Sequence, residues 1–276
     1  MNDTDAVAPV ESTTTQSSLT LVSTVAFTIG ATVMILLHET SHSVAGMILG
    51  YHPTQIAFAV DERPTPTPAD QAIIAMTGPV FSLVAGLAGV LADRLIRPLR
   101  RNGFWRLVWL WAVFTSLQEG FGYFTIAGIA SAGDTAVALN AWDAPGWVFI
   151  AATAFGVAGQ VLTAWLFSEP MKRMCRTVKD RNQLTVWAWM LGTAAMLVLM
   201  TIYSLVVPGL PLEVTITVLS GAFAVGVFAP MSMMFGNRAN TALDALPPAR
   251  PPVPAWIVLA ALVAFNLSLS AGWLWP

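Results

Sequence analysis

Charge is what this sequence has least of. Only 10% of its 276 residues are Asp, Glu, Lys or Arg, 56% are hydrophobic, and the mean hydropathy is +0.68. A soluble domain of this size carries about a quarter charged residues, so the composition excludes one and reads as an integral, multi-pass membrane protein. Net charge is −2 with no basic concentration suited to nucleic acid, which removes nucleic acid as a partner. Cysteine is nearly absent. The single Cys175 excludes an internal disulfide and a cysteine-built metal cluster, and reads as an incidental free thiol in a basic connection. Residues 1–18, MNDTDAVAPVESTTTQSS, also lack the positive start of a cleavable signal peptide. They are expected to form a disordered acidic tail.

What the chain does have is long apolar runs. A helix needs about 20 apolar residues to cross the hydrocarbon core. Seven candidates follow, at 19–49, 71–95, 104–131, 146–168, 184–207, 212–235 and 254–275. The expected fold is an all-α membrane protein, a polytopic bundle of about seven transmembrane helices with a short β segment after the first. Residues 19–140 form the expected core and 141–276 supply additional spans. Lys and Arg concentrate in the connections 92–106, 169–183 and 236–253, which the positive-inside rule puts on the cytoplasmic side of a bacterial-type cell membrane.

Histidine is scarce as well, and its placement is telling. Two of the three histidines fall in His38-Glu39-Thr40-Ser41-His42, inside the first run. On a helix His38 and His42 lie one turn apart on one face, so both imidazoles reach one ion, with Glu39 beside them to hold a water. This HExxH pattern is the zinc-hydrolase signature, with Glu39 as general base. Ionisable groups at membrane depth are costly and mark functional sites. The third histidine, His52, precedes Pro53 and reads as a loop residue.

Two imidazoles leave zinc one protein ligand short. The acids at plausible depth are Glu119 and Asp134, in the stretch TSLQEGFGYFTIAGIASAGDTAVAL. Along an unbroken helix they stand about 22 Å apart, so one ion takes both only if the chain folds back. Depth counting favours Glu119. A break in the glycine-rich stretch between Gly120 and Gly133 would let Asp134 open a new helical turn and line a wet cavity. Tyr123 and Gln118 are candidate donors to a developing oxyanion. Residues 55–61 alternate Ile56, Phe58 and Val60 as an edge strand would, able to pair with an extended peptide.

The HExxH motif, the Gly78-Pro79 pair in the next span and the later Gly133-Asp134 together resemble the site-2 protease family of intramembrane zinc metalloproteases. The likeness covers residues 30–140. It implies an enzyme that cleaves a membrane-protein substrate helix within the lipid bilayer, with Zn²⁺ held by His38, His42 and Asp134. The GYHPTQIAFAV segment resembles that family's membrane-associated strand. The fuller Asn-x-x-Pro-x-x-x-Leu-Asp-Gly pattern is absent here, where Gln118-Glu119 and Ala132-Gly133-Asp134 stand instead. Two other readings compete: a non-hydrolytic membrane metal-binding protein or transporter, and a prenyl-protein-type zinc protease using Glu119 as ligand.

Overall fold

The protein is described by a computed structural model covering residues 17–207, 216, 229–235, 244–270 and 272–274. Seven helices account for most of these residues: α1 (Ser17–Ile48), α2 (Pro68–Leu95), α3 (Gly103–Ile129), α4 (Asp134–Ala141), α5 (Gly146–Arg173), α6 (Val178–Val206) and α7 (Val253–Leu269). A π turn at Gln183–Trp187 lies inside α6.

Four helices, α1, α2, α5 and α6, are long and apolar enough to cross a membrane. α1 is the central one: 67% of its apolar stretch is buried, against 39%, 28% and 33% for the other three. The outer helices turn Val84, Leu87, Leu91, Ile150, Phe155 and Val198 outwards. Exposed apolar surface on this scale is what a lipid environment tolerates and water does not. α3 has 27 residues but carries Gln118 and Glu119 mid-helix, which lowers its hydropathy without shortening it. α7 spans 17 residues and ends earlier than the expected 254–275 run, because Gly272, at φ 83°, turns the chain into a strand. Most of the expected sixth span, 212–235, lies outside the described residues; its end, Ala229–Met233, is a 3-10 turn. The expected tail, 1–18, lies outside them except for Ser17 and Ser18, which open α1.

Helix starts follow the local chemistry. Thr67 accepts a hydrogen bond from the Asp70 N–H, with Pro68 at the first helical position of α2. Asn102 caps α3 through the Trp105 N–H. Thr177 and Asp180 form a reciprocal capping box at α6. The core runs between α1, α3, α5 and α6, where Phe27, Trp111, Phe114 and Phe167 meet edge-on or tilted at centroid separations of 4.5–5.5 Å.

The expected strand at 55–61 is instead a hairpin. β1 (His52–Ile56) and β2 (Ala59–Arg63) pair antiparallel with Gln55 opposite Val60. The chain reverses at Ala57–Phe58, and both side chains drop into the core. What reads as one alternating strand is thus two short ones joined through a buried turn. A third strand, β3 (Trp273–Leu274), pairs with the other edge of β1 at Thr54 and Gln55, giving the order β2-β1-β3. β1 is therefore central, and the outer edge of β2 is the longer open one. His52 opens β1 exposed to the surroundings.

Candidate metal centre

His38 and His42 sit one turn apart on α1, both buried. At about 1.5 Å per residue, His38 lies about 15 Å along α1 from Ile48, and Gly78 about 15 Å along α2 from Pro68. The two helices thus carry the site to the same depth below the hairpin.

Asp134 reaches it because the chain folds back. α3 stays helical through Gly120, Gly122 and Gly128 as far as Ile129. Two of these glycines are close packing contacts: Gly120 admits Leu83, and Gly128 admits Thr153 and the Phe149 backbone. The break comes later and is short. Ser131 at φ 50° and Gly133 at φ 80° reverse the chain, so that Asp134 begins α4. A side chain at Gly133 would be strained by that φ and would press on the Tyr123 ring. α4 returns against α2 and α3.

Three atoms then converge. Asp134 Oδ2 lies 3.0 Å from His38 Nε2 and 3.2 Å from His42 Nε2, and the two Nε2 atoms are 3.1 Å apart. Their outer partners fix what these atoms offer. His42 Nδ1 faces the Ile74 carbonyl oxygen at 2.7 Å, which only accepts, so the proton sits on Nδ1 and Nε2 presents a lone pair. Ser82 Oγ donates to Glu119 Oε2 at 3.1 Å and accepts from His38 Nδ1 at 3.1 Å, leaving His38 Nε2 a lone pair too. With both rings neutral, two imidazole lone pairs and a carboxylate oxygen therefore point at one another. Such a donor set fits a cation.

Spacing agrees with that reading. Ligands about 2.0–2.1 Å from a tetrahedral ion stand about 3.3–3.4 Å from one another, close to the separations here. His38, His42 and Asp134 are a group that could hold a metal ion, and outer hydrogen bonds of this kind orient metal-binding histidines. Gly78 is the floor of the site, where an added Cβ would collide with Nε2 of both histidines. Its place in the Gly78-Pro79 pair thus has a steric cause.

The remaining expected residues divide. Glu39 is buried and within electrostatic reach of both imidazoles, Asp134 and Glu119. Glu119 faces the opposite nitrogen of His38, 3.7 Å from Nδ1, and acts on it through Ser82. Tyr123 stacks on the His38 ring at a centroid distance of 5.0 Å and an interplanar angle of 12°. The Gln118 backbone carbonyl instead accepts from Gln160 on α5, placing this residue in the α3–α5 contact.

Sequence reasoning missed Ser82 and Glu62. Ser82 lies four residues after Gly78, on the same face of α2, and that spacing was its only signal. Glu62, from β2, packs against Gly46 on α1 and has one carboxylate oxygen buried without a hydrogen-bond partner among the described residues. Gln55 ties the hairpin to the motif helix through Ser43 and Thr40. No protein-family model, curated protein or solved structure matches this chain.

Proposed function

We propose that this chain is an intramembrane zinc metalloprotease of the site-2 protease type, a multi-pass protein of a bacterial-type cell membrane. The observation that carries the reading is the convergence of His38, His42 and Asp134 at membrane depth, with Glu39 alongside. Nitrogen and oxygen donors in this number suit Zn²⁺ and leave a position open for reaction. Zinc, when bound, supplies the positive charge that polarises a peptide carbonyl and acidifies water.

The chain's own residues do the rest. A Glu39 carboxylate oxygen takes the proton of the attacking water as its oxygen bonds to the carbonyl carbon. The same oxygen returns that proton to the amine nitrogen as the C–N bond breaks. Ser82 and Ile74 hold the two imidazoles in one tautomer throughout. Tyr123, stacked on His38, is the nearest phenol to donate to the developing negative charge.

The substrate is a transmembrane helix of another membrane protein, whose peptide groups must be freed from internal hydrogen bonds before attack. With both edges of β1 taken, the outer edge of β2, residues Ala59–Arg63, is where an extended segment adds. Glu119 turned to the far side of His38 speaks against the prenyl-protein type of site.

The test is cleavage of a membrane-embedded substrate in reconstituted vesicles. Glu39→Gln is expected to keep its metal and lose cleavage by 10²-fold or more. Undiminished cleavage would remove Glu39 from its role, and metal-dependent flux surviving the change would favour a transporter.

A further inference from the structure

The end of the bundle remote from the hairpin gathers nearly all the positive charge. Of the 12 Lys and Arg among the described residues, all but Arg63 lie in or beside the three connections between α2 and α3, between α5 and α6, and before α7. The structure brings these connections together: the Ala245 N–H bonds the Arg100 carbonyl at 2.8 Å, and Arg106 Nε bonds Asp244 Oδ2 at 3.2 Å.

Between α2, α3 and α5 at this end lies a cavity of about 370 Å³. Its deep wall is apolar, made by Leu110, Val113, Phe114, Leu117 and Phe167, and its rim carries Arg94, Arg97, Lys172 and Arg173. The two acids on the lining are already engaged. Asp93 pairs with Arg106, and Glu169 takes both Lys172 and Arg173, at 3.4 and 3.6 Å. Arg94 and Arg97 have no ion pair or side-chain hydrogen bond among the described residues, so the rim is left net positive. Trp109 adds a buried indole N–H on the same lining with no acceptor among the described residues.

We propose that this cavity binds an anionic phospholipid, its phosphate between Arg94 and Arg97 and one acyl chain along the apolar wall. A neutral hydrocarbon would leave the arginines unmatched, and a free phosphate would have no use for the apolar wall. A cavity of this volume has room for the upper part of an acyl chain. None of the metal-centre residues lines this cavity.

Native mass spectrometry of the full chain, released from micelles containing phosphatidylglycerol or phosphatidylcholine, tests it. The wild type is expected to retain one phosphatidylglycerol in preference to phosphatidylcholine, undisplaced by inorganic phosphate. Each removed cation should weaken retention about fivefold, so Arg94→Gln/Arg97→Gln should weaken it about 25-fold. A control, Arg176→Gln/Lys179→Gln, removes charge at the same end but off the cavity and should retain the lipid. Equal retention of both lipids, displacement by inorganic phosphate, retention unchanged in the cavity variant, or equal losses in cavity and control variants would each overturn the proposal. A filled cavity offers a second route: Val113→Phe should lose phosphatidylglycerol with the arginines intact, and full retention there would exclude the wall from the site.

Discussion

Replacing Ser82 by alanine removes one oxygen and cuts two hydrogen bonds at once. In the wild type that oxygen accepts from His38 Nδ1 at 3.1 Å and donates to Glu119 Oε2 at 3.1 Å, with all three residues buried. Glu119 cannot take over directly, because its Oε2 is 3.7 Å from Nδ1, beyond hydrogen-bond range. Each buried group left without a partner costs about 1–3 kcal/mol. Part of that cost falls on the metal-free protein too, and only the remainder weakens the metal. Loss of an outer partner of a metal-binding histidine typically lowers affinity about 10–100-fold. That corresponds to about 1.4–2.8 kcal/mol, within what two orphaned groups can supply. Glu119→Gln should do less, under about tenfold, since its amide oxygen still accepts from the Ser82 hydroxyl. Zinc affinity measured by competition with a chelator in detergent at neutral pH reads both variants. A folded Ser82→Ala protein binding zinc within twofold of the wild type would refute this account of His38.

Two further outcomes concern the basic end. Arg106 is buried between Asp93 and Asp244, so Arg106→Met leaves two carboxylates unpaired and should cost about 3–5 kcal/mol in equilibrium unfolding from mixed micelles. Adding Asp93→Asn and Asp244→Asn should recover most of that loss, and a single-variant loss below about 1 kcal/mol would contradict the pairing. Burial, with Asp180 nearby, pushes the Cys175 thiol up to about 12, and the thiol donates to the Met171 carbonyl. The reactive thiolate is therefore about 1,000-fold scarcer at neutral pH than in the unfolded chain. Maleimide labelling should be correspondingly slow until the protein is denatured, and fast labelling of the folded protein would contradict its burial.

The parts of the fold written locally were readable in the sequence. Long apolar runs gave α1, α2, α5 and α6, and the four-residue spacing of His38 and His42 placed both imidazoles on one face of α1. The elements that depend on distant packing were not. The reversal before Asp134 uses Gly133, a visible signal, but also Ser131 at positive φ, which no local preference announces. The hairpin turns at Ala57–Phe58, without the glycine or asparagine that marks most tight turns, because burial of Phe58 favours it. The pairing of Trp273–Leu274 with β1 joins residues more than two hundred positions apart. Ser82 looks like an ordinary small residue in an apolar helix until α1 and α3 are packed on either side of it.

The proposed function requires one cation between α1 and α4. Elemental mass spectrometry on protein loaded with zinc and freed of excess reads metal content per chain. One zinc per wild-type chain is expected, none retained by His38→Ala or Asp134→Ala, and one retained by a variant changed far away, such as Arg176→Gln. A folded wild-type chain that carries no zinc, or an Asp134→Ala chain that carries as much as the wild type, would contradict it.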